Sequence, residues 1–560
     1  MGEMTTTHVE DVTEQDDNAR VHAKTYILIA AVNMTYVAQL VSVVGSASLG
    51  RSIAATTGSE GHTVWFTSAI TISTAVLCPP ISQAADYWGR KWLLVFFSSL
   101  GCAGSIVVSR ANSTTSVLIG FILSGLAFGA QALVPTITSE VLPRRFRAYA
   151  QGFVHSAGAL SGLISLLFGG ALTRNGNDEG YRVYYYICAG IFALSAILCT
   201  ILYNPPPRNL EIELKFHEKI QKLDWPAYIL LTVGIVFFCV GLSWSQDPYP
   251  WSDPHVSAPF AIGVSSIIAL ILYALFIKKD GMIHHRLFQN RNFPIVLGCL
   301  FVEGMGFFSV QSYVPIESSL LFTSDPVLVG AHLGVAFASS IFIAGAGAAY
   351  SWKTKTLRPP AVLAYVSFII FYILAATVTT NTPNANFWVY PIFAGAGVGL
   401  CLASLMTAAQ FATPMELIST TTGLVLAVRN VGGTVGLAVY NAIFNHGIAS
   451  NLAPKIASVT LPLGLPKTSL VSLIAAIKSG DPKALSAISG ITPEIIAAAG
   501  LALQETYVIA FRYVWVTAGA FSTAALIAAF FIIDCKADFN AHVDAPVEGE
   551  DLILDSSEKA

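Results

Sequence analysis

The sequence predicts an all-α membrane protein whose chain crosses the bilayer fourteen times. Of its 560 residues, 54% are hydrophobic and only 11% are charged, whereas soluble proteins carry about 25% charged residues. Fourteen stretches are apolar and long enough to cross a hydrocarbon core of about 30 Å as helices. They cover 26–49, 63–82, 92–109, 116–138, 152–172, 182–203, 226–245, 256–277, 293–314, 328–350, 360–380, 386–411, 419–443 and 510–534.

The distribution of positive charge predicts the orientation of the chain. An even number of spans places both ends on one side of the membrane. If that side is the cytoplasm, most of the 30 Lys and Arg residues fall on cytoplasmic segments, as the positive-inside rule requires. Residues 1–24 and 535–560 then form acidic cytoplasmic tails, and residues 1–24 hold no apolar stretch typical of a cleavable signal peptide. We expect a multi-pass protein of the plasma membrane, with vacuolar and vesicle membranes as alternatives.

Several classes of partner and cofactor are not expected. The net charge of −3 suggests no nucleic-acid partner. Seven of the eight cysteines fall inside apolar runs, which indicates neither a disulfide framework nor a metal site. No Gly-rich phosphate loop and no His/Asp cluster is visible in the sequence, so we expect no cofactor, no use of ATP and no enzymatic activity.

The long segment 444–509 is expected to lie outside the membrane and to be helical. Residues 468–478 are apolar at helical spacing. Asp481-Pro482 and Thr492-Pro493 are typical of a helix N-cap followed by a first-turn proline. Two or three short helices are therefore predicted to cover the outer face, either as a structural cap or as a lid that captures substrate.

The most informative motif lies between the second and third apolar runs. Residues 82–91 read Ser-Gln-Ala-Ala-Asp-Tyr-Trp-Gly-Arg-Lys. They resemble the cytoplasmic loop signature of the major facilitator superfamily, Gly-x-x-x-Asp-(Arg/Lys)-x-Gly-Arg-(Lys/Arg). Ser82 replaces the first glycine of that signature, and Tyr87 replaces a basic residue.

Further stretches between residues 80 and 445 resemble the fourteen-span drug:proton antiporters, and more narrowly the fungal trichothecene efflux pumps. They are the segments 139–152, 222–225, 241–256, 301–304 and 429–436. The resemblance implies an N-terminal six-helix bundle (25–203), a linker with inserted helices 7 and 8 (204–292), and a C-terminal six-helix bundle (293–534). It also implies a substrate site between the bundles, near the middle of the membrane and lined by spans 1, 4, 9 and 12.

In this fold the motif of residues 82–91 is expected to act as a gating loop. Asp86 would face the positively charged helix N-terminus of span 13, near residues 419–422, and would close the inner face. Gly89 would permit a tight turn. Arg90 and Lys91 would anchor the loop at the anionic membrane surface.

Two other motifs of the antiporters are only partly present. Gly152, Gly169 and Gly170 occupy small-residue positions of the span 5 antiporter motif, where helices approach closely. The proline of that motif is Leu166 here. In span 4 the segment Phe121–Gly125 lacks the arginine that the family links to proton coupling, so another residue must carry the proton.

Glu303 and Arg429 are the candidates for proton coupling. Glu303 lies about ten residues into span 9, roughly 15 Å deep. A charge at that depth is costly, so its side chain should face a cavity or a partner, and apolar surroundings would favour its protonated form. Arg429 lies at similar depth in span 13 and could pair with a carboxylate, cap carbonyls or meet an anionic substrate.

The substrate cavity is expected to contain Glu303 and three amides, Gln39, Gln131 and Gln311, which fall on spans 1, 4 and 9. A few amides among Phe and Leu suit a bulky, mostly apolar ligand. We therefore expect a monomeric, proton-coupled exporter whose partners are a small molecule, protons and the lipid bilayer. A siderophore-iron importer of the same superfamily is the alternative, and a non-transporting membrane sensor is a lesser one.

Overall fold

The computed structural model describes residues 23–59, 63–173, 177–205, 215–244, 249, 251–323, 325–479, 488–540 and 542–544. Within these ranges, fourteen helices are long and apolar enough to cross a membrane. The prediction of an all-α membrane protein with fourteen spans is confirmed.

The spanning helices are numbered here in chain order. Their bounds are α1 Ala23–Ser48, α2 Thr63–Trp88, α3 Lys91–Ser109, α4 Thr114–Glu140, α5 Arg147–Leu172, α6 Gly180–Leu202, α7 Trp225–Trp244, α8 Pro254–Leu272, α9 Asn292–Leu321, α10 Pro326–Thr354, α11 Arg358–Ala376, α12 Asn384–Phe411, α13 Ile418–Thr460 and α14 Pro493–Ala529. A short 3-10 segment, Ala130–Ala132, interrupts α4, and a π-helical turn, Tyr273–Ile277, follows α8.

The helices pack as two bundles and an added pair. Helices α1 to α6 contact one another and share buried cores that include Leu28, Leu133 and Tyr185. Helices α9 to α14 surround a larger core that includes Tyr365 and Trp515. Helices α7 and α8 pack on each other, and α7 also lies against α2. The two bundles meet where α5 contacts α10 and α12, and where α2 contacts α13.

The face of the molecule at which α1 begins and α14 ends is called the termini side, and the other face is called the opposite side. Because successive spans alternate in direction, α9 and α13 begin on the termini side, whereas α2, α10 and α12 begin on the opposite side.

The segment between spans 13 and 14 is helical over most of its described residues, as predicted, but much of it continues the spanning helices. α13 runs to Thr460 and α14 begins at Pro493, so α13 ends and α14 begins well outside the predicted spans 419–443 and 510–534. Within the described residues one short helix, Leu470–Ser479, lies between them. With 43 residues, α13 is about 64 Å long. Polar residues such as Asn445 and Asn451 end the apolar run but do not interrupt the helix.

The extended helix ends have a core of their own on the opposite side. Ile456 of α13, Leu473 of the short helix and Ile495 of α14 are buried together. The predicted N-cap at Thr492 is present, since its side chain accepts a hydrogen bond from the Ile495 amide at 3.2 Å. The Asp481-Pro482 cap lies outside the described residues.

Candidate functional site

A cavity of about 730 Å³ lies between the two bundles. This volume falls within the ~300–1,000 Å³ that is typical of small-molecule sites. Spans 1, 4, 9 and 12 contribute to its wall as expected, and α2, α5, α7, α10 and α13 contribute as well. The lining residues extend from the middle of the helices toward the opposite side, as Thr67, Leu242, Ile316 and Asn441 illustrate. The cavity is therefore accessible from the opposite side rather than from the termini side.

The wall of the cavity combines aromatic rings with a few amides and hydroxyls. Its rings belong to Tyr36, Phe128, Phe307, Phe308, Tyr313 and Phe337. Four amides, those of Gln131, Gln311, Asn430 and Asn441, also line it. Gln131 and Gln311 thus lie where the sequence predicted them. Such a surface suits a ligand that is mostly apolar and makes a few hydrogen bonds.

Gln39 does not line the cavity, so its prediction as a cavity residue is wrong. Its side chain is fully buried, and Nε2 donates to the Ala127 carbonyl at 2.8 Å. It joins α1 to α4 inside the N-terminal bundle. The position of Gln39 on a cavity helix was correct, but the face of the helix on which it lies could not be read from the sequence.

Glu303 and Arg429 form a buried ion pair at the floor of the cavity. Arg429 Nε donates to Glu303 Oε2 at 2.5 Å, and Arg429 Nη2 donates to Glu303 Oε1 at 3.0 Å. Glu303 has no exposed surface, and it meets the cavity only through Arg429, which lines it. The structure therefore corrects the expectation of an apolar environment for Glu303, because the bidentate guanidinium stabilises the ionised carboxylate.

Aromatic packing completes the environment of the pair. The Arg429 guanidinium lies over the Phe307 ring, 4.6 Å from its centroid. Phe307 belongs to the same helix as Glu303 and also faces the cavity. A ligand in the cavity can therefore contact both the ring and the guanidinium that holds the carboxylate.

Glycines allow α9 and α13 to approach closely enough for the pair to form. A Cβ atom on Gly304 would collide with the Arg429 carbonyl, and one on Gly432 would collide with the Phe301 carbonyl. Both obstacles are backbone atoms, which cannot rotate away as a side chain could. The Gly432-Gly433 segment of the sequence is thus a contact surface for span 9.

We expect Gly432→Ala to destabilise the protein by about 1–3 kcal/mol, because the added methyl group would force α9 and α13 apart. Gly170→Ala is the matched control, since its Cβ would lie 3.8 Å from Val327 Cγ2, an ordinary contact. Thermal unfolding of the two purified variants checks this prediction. Equal loss of stability in both would show that the close approach of α9 and α13 does not matter.

The termini side of the cavity is closed by Asp86 and the start of α13. Asp86 Oδ2 accepts hydrogen bonds from the Thr420 amide at 3.0 Å and from the Thr420 hydroxyl at 2.8 Å. Asp86 is only 3% exposed. Its carboxylate thus lies at the N-terminal end of α13, where a negative charge is favourable, and inside the range 419–422 that the sequence indicated.

Arg90 extends this contact instead of anchoring the loop to lipid. It is also 3% exposed, and its guanidinium donates to Asp86 at 2.8 Å, to Glu140 at 3.1 Å and to Ser419 at 3.1 Å. The prediction that Arg90 lies at the membrane surface is wrong, because two buried carboxylates neutralise its charge. Arg90 therefore links α2 and α4 to the C-terminal bundle.

Gly89 and Lys91 have simpler positions. Gly89 has a φ of +82°, a left-handed conformation that glycine adopts without strain. It ends α2 and allows α3 to begin at Lys91. The Lys91 ammonium donates to Asn204 Oδ1 at 2.5 Å at the exposed surface.

A second set of contacts joins the bundles next to the first. Ser139 of α4 donates to Gln410 of α12 at 2.8 Å, and Gln151 of α5 bonds to both of them. Closer to the cavity, His155 Nε2 lies 2.5 Å from the Ser340 hydroxyl of α10. The cluster of Ser139, Gln151 and Gln410 could not be predicted from the sequence, because its three members lie on three different helices.

The glycines of the span 5 motif differ in how tightly they pack. A Cβ on Gly152 would lie 3.0 Å from Ala348 Cβ of α10, a close contact between the bundles. Gly169 would have its nearest neighbour at 3.4 Å, in Leu49, and Gly170 at 3.8 Å. Of the three predicted packing residues, only Gly152 lies at a position where a larger side chain would be crowded.

Asp86→Ala is expected to open the termini side. Besides the contact with Arg90, the substitution removes the two hydrogen bonds that link α2 to the start of α13. Each is made to a charged group and typically contributes about 1.5–3 kcal/mol, so the open form should gain at least about tenfold in population. The measurement is the rate of maleimide labelling of Thr421→Cys, a buried position beside the contact, in a variant whose natural cysteines are replaced. Asp325→Asn, which alters the N-cap of α10 on the opposite side, should leave that rate unchanged. Equal labelling rates with and without Asp86→Ala would contradict the closing role of Asp86.

Known proteins resemble this chain in sequence over most of its length. The sequence model of the Major Facilitator Superfamily matches residues 27–437. The MFS-type transporter ucsD of Acremonium sp is 24% identical over 398 residues, which cover 70% of this chain and 66% of the relative. The trichothecene efflux pump TRI12 of Fusarium sporotrichioides is 24% identical over 533 residues, which cover 92% of this chain and 87% of the relative.

Solved structures have the same fold. The proton:xylose symporter XylE bound to 6-bromo-6-deoxy-D-glucose superposes with a TM-score of 0.54 at 12% identity, covering 77% of this chain and 91% of the other. The resemblance to the superfamily and the predicted major facilitator fold, with two six-helix bundles and an inserted helix pair, are thereby confirmed. This chain belongs to the major facilitator superfamily.

Proposed function

We propose that this protein is a proton-coupled secondary transporter that exports a small, largely apolar metabolite, toxin or drug across the plasma membrane. The observation that carries the proposal is the cavity between the bundles, which has an aromatic and amide wall and a buried ion pair as its floor. Names of relatives such as the trichothecene efflux pump support export as the direction. In this proposal the protein is a monomer, both of its termini lie in the cytoplasm, and it has no cofactor and no enzymatic activity.

The substrate would bind among the rings of the cavity and against its amides. Gln131 and Gln311 can each donate and accept hydrogen bonds. Arg429 is the one Lys, Arg, Asp or Glu side chain among the described lining residues, and Glu303 already neutralises it. The cavity therefore favours uncharged, hydrogen-bond-accepting molecules over cations.

Proton coupling would act through the Glu303–Arg429 pair. In the structure the Glu303 carboxylate holds the Arg429 guanidinium over Phe307 at the cavity wall, where it can donate to an acceptor group on the substrate. Protonation of Glu303 would release Arg429 from this position and weaken that contact, and loss of the proton would restore it. Proton binding and substrate binding would then oppose each other, as exchange of a substrate for a proton requires. This site replaces the arginine that span 4 lacks.

Gating would consist of breaking and remaking the contacts of Asp86 and Arg90. In the structure these contacts close the termini side while the cavity is accessible from the opposite side. Rocking of one bundle against the other would separate α2 from the start of α13 and give access from the cytoplasm. Lys91 and Gly89 would stay within the N-terminal bundle during this motion.

Metabolite profiling of a deletion strain tests the proposed function. Cells that lack the protein should retain a largely apolar compound that wild-type cells release into the medium. The same comparison with a panel of iron chelates tests import, since an importer would leave a chelate in the medium. A sensor would change gene expression without altering either distribution. Retention of no compound would contradict export.

A further inference from the structure

The C-terminal segment beyond α14 crosses from one bundle to the other on the termini side. It leaves the C-terminal bundle near α9, where the Asn292 side chain bonds to the Ile533 backbone in both directions, at 2.8 and 2.9 Å. It then reaches the loop between α4 and α5 of the N-terminal bundle. The part of this segment that contacts both bundles is called the strap, and its contact residues are Phe539, Asn540, His542 and Asp544.

Backbone hydrogen bonds fix the strap to the N-terminal bundle. The Arg145 amide donates to the Asn540 carbonyl at 2.8 Å, and the Arg144 amide donates to the His542 carbonyl at 2.9 Å. These two arginines form the turn just before α5. Two backbone hydrogen bonds therefore hold the strap to this turn.

Buried charges add a second attachment. Asp544 is only 2% exposed at its side chain and pairs with Arg144 at 3.0 Å and with Arg147. Arg147, the first residue of α5, is itself 1% exposed. Breaking such a buried pair costs more than breaking a surface pair, because the remaining partner would stay buried without its counter-charge.

An aromatic contact holds the same segment to the C-terminal bundle. Phe539 is buried against Phe411, the last residue of α12, with ring centroids 4.9 Å apart. The Arg147 guanidinium lies over that Phe411 ring at 5.3 Å. Phe411 is thus contacted by the strap and by α5 at once, next to the contacts of Gln410 with Ser139 and Gln151.

We propose that the strap is a lock on the closed termini side. It is anchored in the C-terminal bundle by Phe539 and in the N-terminal bundle by Asp544, so opening of that side requires one anchor to break. The strap favours the state in which the cavity is accessible from the opposite side, and its release sets how readily the transporter turns toward the cytoplasm. The role of this lock in transport rests on the proposed function, whereas its effect on the conformation does not.

Spin-label distances on the purified full chain test the proposal. One pair of spin labels, at Ala23 and Lys353, reports on the termini side. A second pair, at Thr115 and Thr380, reports on the opposite side. All four side chains are exposed, so they can be labelled. The partly exposed Cys102, Cys239 and Cys535 are replaced so that only the introduced cysteines react. Asp544→Asn removes the charge, Phe539→Ala removes the aromatic anchor, and Asp280→Asn makes the same change as Asp544→Asn at an exposed site on the termini side.

Asp544→Asn is expected to raise the population with a long Ala23–Lys353 distance by about tenfold, as loss of one hydrogen bond to a charged group would. Phe539→Ala should raise the same population, because it removes a buried aromatic contact with Phe411. The Thr115–Thr380 distance should shorten in the same molecules, and Asp280→Asn should match the unaltered strap. Unchanged distances in both strap variants would overturn the proposal. Because the distances are read without substrate or a pH gradient, they can shift even if the protein proves not to export, which separates the two proposals.

Discussion

Replacing Glu303 with glutamine is expected to abolish transport driven by a pH gradient while substrate binding is retained. Glutamine preserves the shape of the side chain and can still accept a hydrogen bond from Arg429, but it cannot bind or release a proton. The cavity wall is untouched, because Glu303 itself does not line it. Uptake into inverted vesicles under an imposed pH gradient measures the first property, and equilibrium binding of the same compound measures the second.

Glu317 provides the matched control for this experiment. It lies on the same helix, is also fully buried, and accepts a hydrogen bond from the Trp515 indole at 3.0 Å rather than from an arginine. Glu317→Gln should therefore keep gradient-driven transport. Transport by Glu303→Gln at the unaltered rate would show that the proton is carried elsewhere, and equal loss in both variants would point to damage of α9 instead.

Replacing Arg429 with methionine is expected to lower stability by about 3–5 kcal/mol, because Glu303 would stay buried without its counter-charge. The double variant Glu303→Leu/Arg429→Met should recover most of that loss, since an apolar pair of similar volume leaves no buried charge. Thermal unfolding in detergent, compared among the single and double variants, checks both statements. A double variant as unstable as the single one would mean that the ion pair is not the source of the effect.

The contact of Asp86 with the start of α13 illustrates what could be read from the sequence. Asp86 belongs to a recognisable motif at the end of a span, and a helix N-terminus is a favourable place for a carboxylate. The contact therefore followed from a motif and a general electrostatic rule. Glu303 and Arg429 were also identified separately, because charges deep in apolar spans are rare and need a partner or a cavity. Their pairing with each other is a finding of the structure, since 126 residues separate them.

Other features depended on which way a side chain points or on neighbours far apart in the chain. Gln39 and Gln131 both lie on predicted cavity helices, yet only Gln131 reaches the cavity. Arg90 was expected at the lipid surface because it is basic and follows a span, but Asp86 and Glu140 hold it in the interior. The length of α13 was underestimated because the apolar run ends at the membrane boundary, whereas the helix continues into water-exposed sequence.

Proton movement in proteoliposomes shows whether a proton gradient drives export through the cavity. The purified protein is reconstituted with a pH-sensitive dye inside the vesicles, and the compound that the deletion strain retains is added outside without a pH gradient. Inward movement of the compound should drive protons outward through the unaltered protein and not through Glu303→Gln. Movement of the compound with no change in internal pH would mean that its transport is not coupled to protons.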